Sequence, residues 1–135
     1  MQRFPDWQAR LKAYIKAQAG VPFQFGKLDG AMFAAGCIEA MTGVDLARGY
    51  RGYRTAAGGI RKCRAKGHDS LVGPFAHLPE IAPLAAQAGD LVVLDGPDGL
   101  CMGVAQGAFI MGVDRQQGVG PLSNPVIVRA FKVGS

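Results

Sequence analysis

Cysteine and histidine are the residues of this sequence that could carry covalent chemistry. The chain has three cysteines, Cys37, Cys63 and Cys101, and two histidines, His68 and His77. A cysteine hydrolase needs a thiolate at the N-terminus of a helix, an imidazole in contact with it and a third group that orients the imidazole. Both histidines fall in an irregular segment, on no predicted strand and near no candidate nucleophile, so we expect loop or surface roles for them.

Each cysteine has a structural interpretation. Cys37 falls well inside a predicted helix, gains nothing from the helix N-terminus, and is expected to be a small buried hydrophobe. Cys63 has the basic neighbours Arg61 and Lys62, which would lower its pKa if it were exposed, but it occupies the apolar position of an amphipathic helix. Cys101 falls in a predicted strand as a core or half-buried residue.

Other catalytic patterns are weak or missing. The pair His68-Asp69 could act as an oriented base, but the sequence offers it no nucleophile. Asp95 and Asp98 flank a turn, and the preferences of turn residues explain both carboxylates. Serine-nucleophile, phosphate-binding and dinucleotide-binding motifs are absent. An odd number of cysteines without a CxxC spacing argues against a disulfide framework and a zinc site, so we expect no cofactor and no metal.

The bulk composition is that of a globular protein with a basic bias. The 135 residues suit one domain, and 49% of them are hydrophobic and 19% charged. A net charge of +5 favours acidic partners in general, such as nucleic acid, anionic wall polymers or acidic protein surfaces. Seven basic residues lie between Arg48 and Lys66, as either a solvated face or a specific anion site. No aromatic–basic pattern indicates base stacking, so nucleic acid is the less expected partner.

The sequence shows no targeting or membrane-spanning segment. The stretch MQRFPDWQAR has no signal-peptide pattern, because its charged start is not followed by an apolar segment. No run of about 18 apolar residues exists, so we expect no membrane span. A protein with this sequence would need another route out of its cell.

Helices are predicted in the first half of the chain. The first spans residues 6–19, with Asp6 as its cap. The second spans residues 30–42, is capped by Asp29 and ends at Gly43. Because the second helix is apolar on every side, we expect it to be central and buried. The inward face of the first helix consists of Trp7, Leu11, Tyr14 and Ile15.

A third helix and four strands complete the prediction. The helix spans residues 56–66, with Thr55 as its cap and Ile60 and Cys63 facing inward. Irregular chain with one short helical turn follows, and the strands then come from residues 89–96, 100–107, 108–114 and 124–133. The turns between the first three strands are assigned to Pro97-Asp98-Gly99 and to Gln106-Gly107. In the last strand, Val126, Val128, Ala130 and Lys132 are predicted on one face and Ile127, Arg129, Phe131 and Val133 on the other.

This order of elements indicates an α+β fold, with N-terminal helices packed on a C-terminal antiparallel sheet or half-barrel. Residues 1–135 are expected to form a single domain. Its parts are an N-terminal helix within 1–20, core helices within 29–67 and antiparallel strands within 88–133.

Three motifs resemble those of the NlpC-type cell-wall peptidases, which belong to the papain-like superfamily. GKLDGAMFAAG, from Gly26, is similar to the segment in which an Asp-Cys pair opens the central helix of those enzymes. AQAGDLVVLDG, from Ala86, and LCMGVAQG, from Leu100, are similar to two of their strands, the second of which begins His-Val-Gly-Ile. From about residue 20 to 133 the sequence is closer still to a group of small phage and prophage proteins related to that superfamily. They share PF-x-x-G-x-x-D, TGVD, GYR-x-YRT-x-x-G and GDLVVLDG.

The resemblance implies a papain-like, NlpC-type fold whose catalytic residues have been lost. Asp29 matches the aspartate that precedes the nucleophile, Gly30 takes the place of the nucleophilic cysteine, and Cys101 falls where the histidine stands. The third, orienting position would lie on the next strand, between Ile110 and Asp114. Since glycine has no atom with which to attack, the resemblance implies that the fold is kept and the reaction lost.

The resemblance also implies a role as a structural or assembly component of a phage or phage-like tail. Other tail or baseplate proteins would then be partners, with peptidoglycan as a further candidate. The location would be the virion, or the bacterial cytoplasm before assembly. For contact we nominate the aromatic–basic loop Tyr50, Arg51, Tyr53 and Arg54, because Tyr and Arg are favoured at interfaces; the alternative is a loop whose tyrosines pack on the body of the protein.

Two other functions remain open. The chain could be a cell-wall peptide hydrolase or amidase delivered at the tail tip, in which Cys101 would attack from the opposite side of the cleft. It could also be a module that binds wall polymer or nucleic acid through its basic segment.

Overall fold

Three helices precede a six-stranded sheet in the computed structural model, which describes residues 1–68, 72–96 and 99–134. Every strand pairing is antiparallel, and the spatial order is β1-β6-β2-β3-β4-β5. The predicted α+β fold class, helices first and an antiparallel sheet second, is confirmed. The strands are β1 (Glu80–Ile81), β2 (Leu91–Gly96), β3 (Gly99–Gln106), β4 (Phe109–Asp114), β5 (Gly118–Pro121) and β6 (Ile127–Phe131).

The first helix, α1 (Trp7–Gln18), packs on the second along the predicted face. Leu11 is buried, and the other three residues of that face pack against the core. Asp6 occupies the N-cap position, as predicted, but its side chain makes no capping hydrogen bond. Asp6 is not in the extended conformation usual for a capping residue, and its carboxylate accepts a hydrogen bond from Arg10 at 2.8 Å on the surface.

The second helix, α2 (Gly30–Thr42), is the central element, as predicted. Asp29 caps it by accepting a hydrogen bond from the backbone N–H of Met32, and Gly43 ends it with a φ of +78°. A side chain at Gly36 would overlap the Tyr14 hydroxyl, so this glycine lets α1 approach closely. Eight residues of α2 are buried: Met32, Phe33, Ala34, Ala35, Cys37, Ile38, Met41 and Thr42.

The third helix, α3 (Ala56–Ala65), begins at the predicted cap, where the Thr55 hydroxyl accepts a hydrogen bond from the N–H of Gly58 at 2.9 Å. Two short 3₁₀ turns, Gly73–Phe75 and Pro83–Ala85, lie between α3 and β2, where one helical turn was predicted. Strand β1 also lies there and was not predicted, because two residues show no alternation from which a strand could be recognised.

The hairpins differ from the prediction in detail. Residues 97–98 of the predicted turn after β2 lie outside the described residues. In the next hairpin Gln106 pairs with Phe109, so Gly107 and Ala108 form the turn instead of Gln106-Gly107. Gly107, with a φ of +62°, supplies the left-handed conformation that such a turn needs. The glycine-rich strand β5 was not predicted at all.

A bulge in β6 reverses part of the predicted face assignment. Val93 pairs with Arg129, but Leu94 pairs with Ile127, so Val128 is an extra residue. Ile127 therefore lies beside Leu94 and Ala130 and not on the Phe131 face, and the strict alternation predicted for this strand is wrong.

The sheet is covered on both faces. The larger cluster joins α2 to the sheet through residues such as Phe33, Ile38, Val93 and Phe131. The smaller cluster, on the other face, is formed by Val92, Leu94 and Ala130 with surrounding half-buried residues. Burial of this extent is the main stabilising contribution to a fold of this size. None of the helices in the described residues is both long and apolar enough to cross a bilayer.

A buried ion pair ties the start of the chain to its end. Arg3 donates to a carboxylate oxygen of Asp90 at 3.1 Å and to the carbonyl oxygens of Ala88 and Val133 at 3.0 and 2.7 Å. Asp90, which is only 1% exposed, also accepts from the N–H of Gln87 and of Val133. The aspartate at the start of β2 in the GD motif is therefore structural, and it orders both termini around the sheet.

Candidate functional site

The start of α2 is built around the carboxylate of Asp29. One oxygen accepts from the N–H of Met32 at 2.9 Å, and the other accepts from the N–H of Gly26 at 3.0 Å and from the hydroxyl of Tyr53. Asp29 is 6% exposed. A carboxylate that is buried and holds three donors is occupied as an acceptor, so its arrangement is that of a structural cap and not of a general base.

Tyr53 is the partner that the sequence did not reveal. Burial first, and the hydrogen bond to Asp29 second, raise the pKa of its hydroxyl, which stays protonated at neutral pH and serves as a donor. Gly26, with a φ of +74°, lies directly against the backbone of Tyr53, and any side chain there would overlap it. The N–H of Gly52 donates to the carbonyl of Gly26 at 3.1 Å, so two loops are joined at this end of α2.

The first residue of α2 has little room for a side chain. A Cβ atom at Gly30 would lie 3.0 Å from both the amide nitrogen and the carbonyl oxygen of Met102 in β3. Pairing between β3 and β4 begins at Val104, so the start of α2 reaches the Met102 backbone where β4 does not pair with β3. The position that the resemblance assigns to the nucleophile is thus closely bordered by the main chain of β3.

Cys101 lies on the other face of the sheet. It pairs directly with Leu94, which belongs to the cluster remote from α2, whereas Met102 pairs with Val93 in the cluster that α2 completes. Met102 is therefore the β3 residue that faces α2. Cys101 is exposed, so the prediction of a core or half-buried residue is wrong; it lies near the turn end of the β2–β3 hairpin, two residue pairs from Gly96 and Gly99.

The thiols are all poor nucleophiles by their surroundings. Partial burial and the nearby charge of Asp95 raise the pKa of Cys101. Cys37 and Cys63 are 0% and 1% exposed, and burial raises the pKa of each. The basic neighbours of Cys63 thus do not activate it, because the thiol points into the core. A low thiol pKa is what a cysteine hydrolase requires.

The side chains of the two histidines are not hydrogen-bonded to the cysteine thiols in the part of the chain that the structure describes. His68 packs over Gly73 with its ring 6.5 Å from that of Tyr50, and His77 is exposed. The pair His68-Asp69, considered above as an oriented base, is not tested, since Asp69 lies outside the described residues.

The third position of the resemblance falls on β4. Met111 and Val113 of that strand are apolar and pack against the core, and Gly112 lies between them. Asp114, at its end, accepts from the N–H groups of Gln116 and Gln117 in its own turn, and those bonds hold the pKa of its carboxyl below the usual value. The part of β4 named by the resemblance therefore brings no base towards Gly30. Among the residues described, no group of three or more His, Cys, Asp or Glu could hold a metal ion.

The nominated contact loop is only partly on the surface. Arg51 and Arg54 are exposed and Tyr50 is half-buried beneath the Lys66 ammonium, which lies 5.2 Å from its ring centroid. Tyr53 is 8% exposed, because its hydroxyl is bound by Asp29. The sequence pattern GYRGYR gives no sign that its two tyrosines face in different directions.

These features define a class of fold. Three helices packed on a six-stranded antiparallel sheet match the papain-like α+β fold of NlpC/p60 domains, and a solved example is similar over nearly its whole length. It is the NlpC/p60 domain of the peptidoglycan hydrolase SagA, with a TM-score of 0.59 and 20% identity, covering 92% of this chain and 97% of that one. At that identity the likeness shows the fold alone.

The sequence family is narrower. A family model described as "Domain of unknown function (DUF6950)" matches residues 2–133, and the chain belongs to that family. A search of the curated proteins found no match.

Proposed function

We propose that this protein is a non-catalytic relative of the NlpC-type peptidases that acts as a structural or assembly component of a phage or phage-like tail. Other tail or baseplate proteins are its partners on this proposal, and peptidoglycan is a further ligand. The proposed location is the virion, or the bacterial cytoplasm before assembly.

The observation that carries the proposed loss of catalysis is the contact between Gly30 and β3. Acyl transfer by a cysteine enzyme begins with a thiol at the start of the central helix. Here the Met102 backbone lies 3.0 Å from where even the first side-chain atom would be. Asp29 supports the same reading, because its three hydrogen-bond donors bind it to neighbouring loops and leave it no catalytic task.

The proposed place in a tail depends on the sequence motifs. PF-x-x-G-x-x-D, TGVD and GYR-x-YRT-x-x-G resemble those of small phage and prophage proteins. Two of these motifs hold structural residues: Gly26 and Asp29 in the first, and Tyr53 in the third, meet at the start of α2. These two motifs thus contain the contacts that fix the start of α2, which suits a protein retained for its shape.

Incubation with peptidoglycan fragments tests the proposed loss of catalysis. The purified full chain is incubated with muropeptides, and the products are analysed by mass spectrometry, with the NlpC/p60 domain of SagA as a positive control. We expect unchanged fragment masses. Cleavage by the wild type that disappears in Cys101→Ser would overturn the proposal and favour the hydrolase function, since Cys101 is the exposed thiol of the described residues.

Mass spectrometry of purified particles tests the proposed location. Particles are prepared from a host whose prophage carries this gene, and a strain lacking the gene provides the control. We expect the protein in intact particles at a stoichiometry comparable to that of tail proteins. Its absence from particles that are otherwise complete would contradict a structural role.

A further inference from the structure

The positive charge of the molecule is concentrated in one segment. Residues 48–66 contain seven basic and no acidic residues, whereas the rest of the chain contains eight basic and ten acidic ones. Without this segment the net charge would be −2 instead of +5. The excess positive charge therefore belongs to α3 and to the loop that precedes it, and it produces a directional field.

Most of these cations have no acidic partner. Arg51 is the exception, because its guanidinium donates to both carboxylate oxygens of Asp45 at 2.9 Å. Within the described parts of the chain, Arg54, Arg61 and Arg64 form no ion pair, and all three are exposed. An exposed guanidinium without a partner keeps its planar set of donors for a carboxylate or phosphate from another molecule.

Three of the cations, Arg54, Arg61 and Lys62, line one shallow groove that runs along α3 and also includes Gly58. A Cβ atom on Gly58 would lie 3.7 Å from a guanidinium nitrogen of Arg61, so the lack of a side chain keeps this side of the guanidinium clear. Lys62 donates to the carbonyl oxygen of Arg51 at 2.6 Å, which joins this side of the groove to the preceding loop. Lys62 is therefore held by the protein, whereas the guanidinium groups of Arg54 and Arg61 are available to a ligand.

We propose that this groove, here named the basic groove, is the docking surface for an acidic segment of a partner protein. Its ligands are Asp and Glu side chains. The bidentate Arg51–Asp45 pair shows the same chemistry on the neighbouring loop, within one chain. Charge complementarity of this kind gives specificity and fast association more than raw affinity.

Carboxylates are favoured over single-stranded nucleic acid because no exposed aromatic ring lines the basic groove. Tyr53 is the aromatic residue in its lining, and that side chain is 8% exposed, with its hydroxyl bound to Asp29. Proteins that bind single-stranded nucleic acid combine cationic grooves with rings on which bases stack. That the acidic partner belongs to the same tail assembly rests on the proposed function; the binding of acidic peptide does not.

A direct binding measurement tests the basic groove. The full chain is titrated into a fluorescent peptide of about ten glutamates, followed by anisotropy, and the titration is repeated at rising NaCl concentration. We expect binding that weakens with salt. In the double variant Arg54→Glu, Arg61→Glu we expect it to be weaker by about tenfold or more, because two contacts become repulsive.

A matched variant separates local contacts from net charge. Lys12→Glu, Lys16→Glu changes the total charge by the same amount at two exposed positions of α1. We expect this control to weaken binding by about twofold at most, because exposed charges are screened beyond about 10 Å. Equal losses in the two double variants would show a response to net charge alone and would overturn the proposal.

Three further results would refute the proposed docking of an acidic segment. If the wild type does not bind the peptide, or if a DNA duplex of equal charge binds more tightly at the same salt, the proposal is refuted. If the glutamate variants lose the wild-type circular dichroism spectrum, Arg54→Gln, Arg61→Gln replaces them, and unchanged binding in that variant refutes it as well. Cleavage of muropeptides would overturn the proposed function without altering any of these binding results.

Discussion

A Cβ atom added to Gly30 would lie 3.0 Å from both the backbone nitrogen and the carbonyl oxygen of Met102. Met102 is held by its pairing with Val93 in β2, and α2 is held by the buried cap at Asp29. Both elements are therefore anchored by hydrogen bonds on their other sides. A cysteine at position 30 would meet the Met102 backbone in a tight contact, so the substitution would have to displace the helix or the strand.

Gly30→Cys and Gly30→Ala are expected to lower the free energy of unfolding without producing peptidase activity. The tight contact costs about 1–3 kcal/mol, and the higher helix propensity of the new residue offsets up to about 1 kcal/mol of that cost. Urea denaturation followed by circular dichroism measures the change. The control is Gly120→Ala, where a Cβ atom meets nothing within 4 Å. Equal stability of the Gly30 and Gly120 variants would show that the contact is not restrictive.

Tyr53→Phe removes one of the three donors to Asp29. We expect a loss of about 1–3 kcal/mol in the free energy of unfolding, because a buried carboxylate oxygen then lacks part of its hydrogen bonding. Tyr50→Phe is the matched control in the same loop. Its ring stays half-buried and its cation–π contact with Lys66 is unaffected, so we expect a change below about 0.5 kcal/mol. A similar loss in both variants would contradict a special role for the Tyr53 hydroxyl.

Stability should fall in alkaline solution for an identifiable reason. Burial raises the pKa of Tyr14 to about 12, and burial together with the Asp29 hydrogen bond raises the pKa of Tyr53. In the unfolded chain both hydroxyls titrate near pH 10. The contribution to stability is therefore complete below about pH 10 and is lost as the pH rises through the folded-state pKa values. Urea midpoints of the wild type should decline between pH 8 and pH 11, and the decline should be shallower in Tyr53→Phe. An equally steep decline in the variant would contradict a contribution from the Tyr53 hydroxyl.

Arg3→Ala should be among the most destabilising surface-accessible substitutions. It leaves the nearly buried Asp90 carboxylate without its counter-charge and removes bonds to Ala88 and Val133, so we expect a loss of about 3–5 kcal/mol. Arg10→Ala breaks the exposed pair with Asp6, and its urea midpoint should stay at the wild-type value. A small effect at Arg3 would show that the backbone donors of Gln87 and Val133 suffice for Asp90.

Native alkylation distinguishes the three thiols. Iodoacetamide should modify Cys101 and leave Cys37 and Cys63 unmodified until the protein unfolds, because the last two are buried. Since partial burial and Asp95 raise the pKa of Cys101, its reaction at pH 7 should be slower than that of a free cysteine peptide and should accelerate as the pH rises. Peptide mass spectrometry after timed quenching gives the rates. A faster reaction than the free peptide at pH 7 would reveal an activated thiol and favour the hydrolase function.

The sequence was sufficient for elements that local chemistry determines. The predicted helix ends at Asp29, Thr55 and Gly43 are correct. The side chains of Asp29 and Thr55 accept capping hydrogen bonds, and Gly43, which has no side chain, adopts the left-handed conformation that ends a helix. The apolar composition of α2 also predicted its central position, because a helix with no polar face must be enclosed.

Features that depend on distant residues were not predictable in the same way. Tyr53 meets Asp29 across 24 positions, and Arg3 meets Asp90 across 87. The residues that flank Tyr53 and Arg3 in the sequence give no indication of these contacts. The β6 bulge, likewise, is set by its pairing with β2 and not by the alternating pattern of β6 itself. The pairing of β3 with β2 places Met102, and not Cys101, towards α2, and this distinction of one residue reverses the face of the sheet.

The network around Arg3 also has a practical meaning for labelling. A Cβ atom on Gly134 would lie 3.5 Å from the carbonyl carbon of Gln2, so these two residues lie side by side. A fluorophore attached through a cysteine introduced at either position therefore reports on the same patch of surface. An experimenter who compares the two labels changes the point of attachment by 132 positions of sequence but hardly changes the surface that the label obstructs.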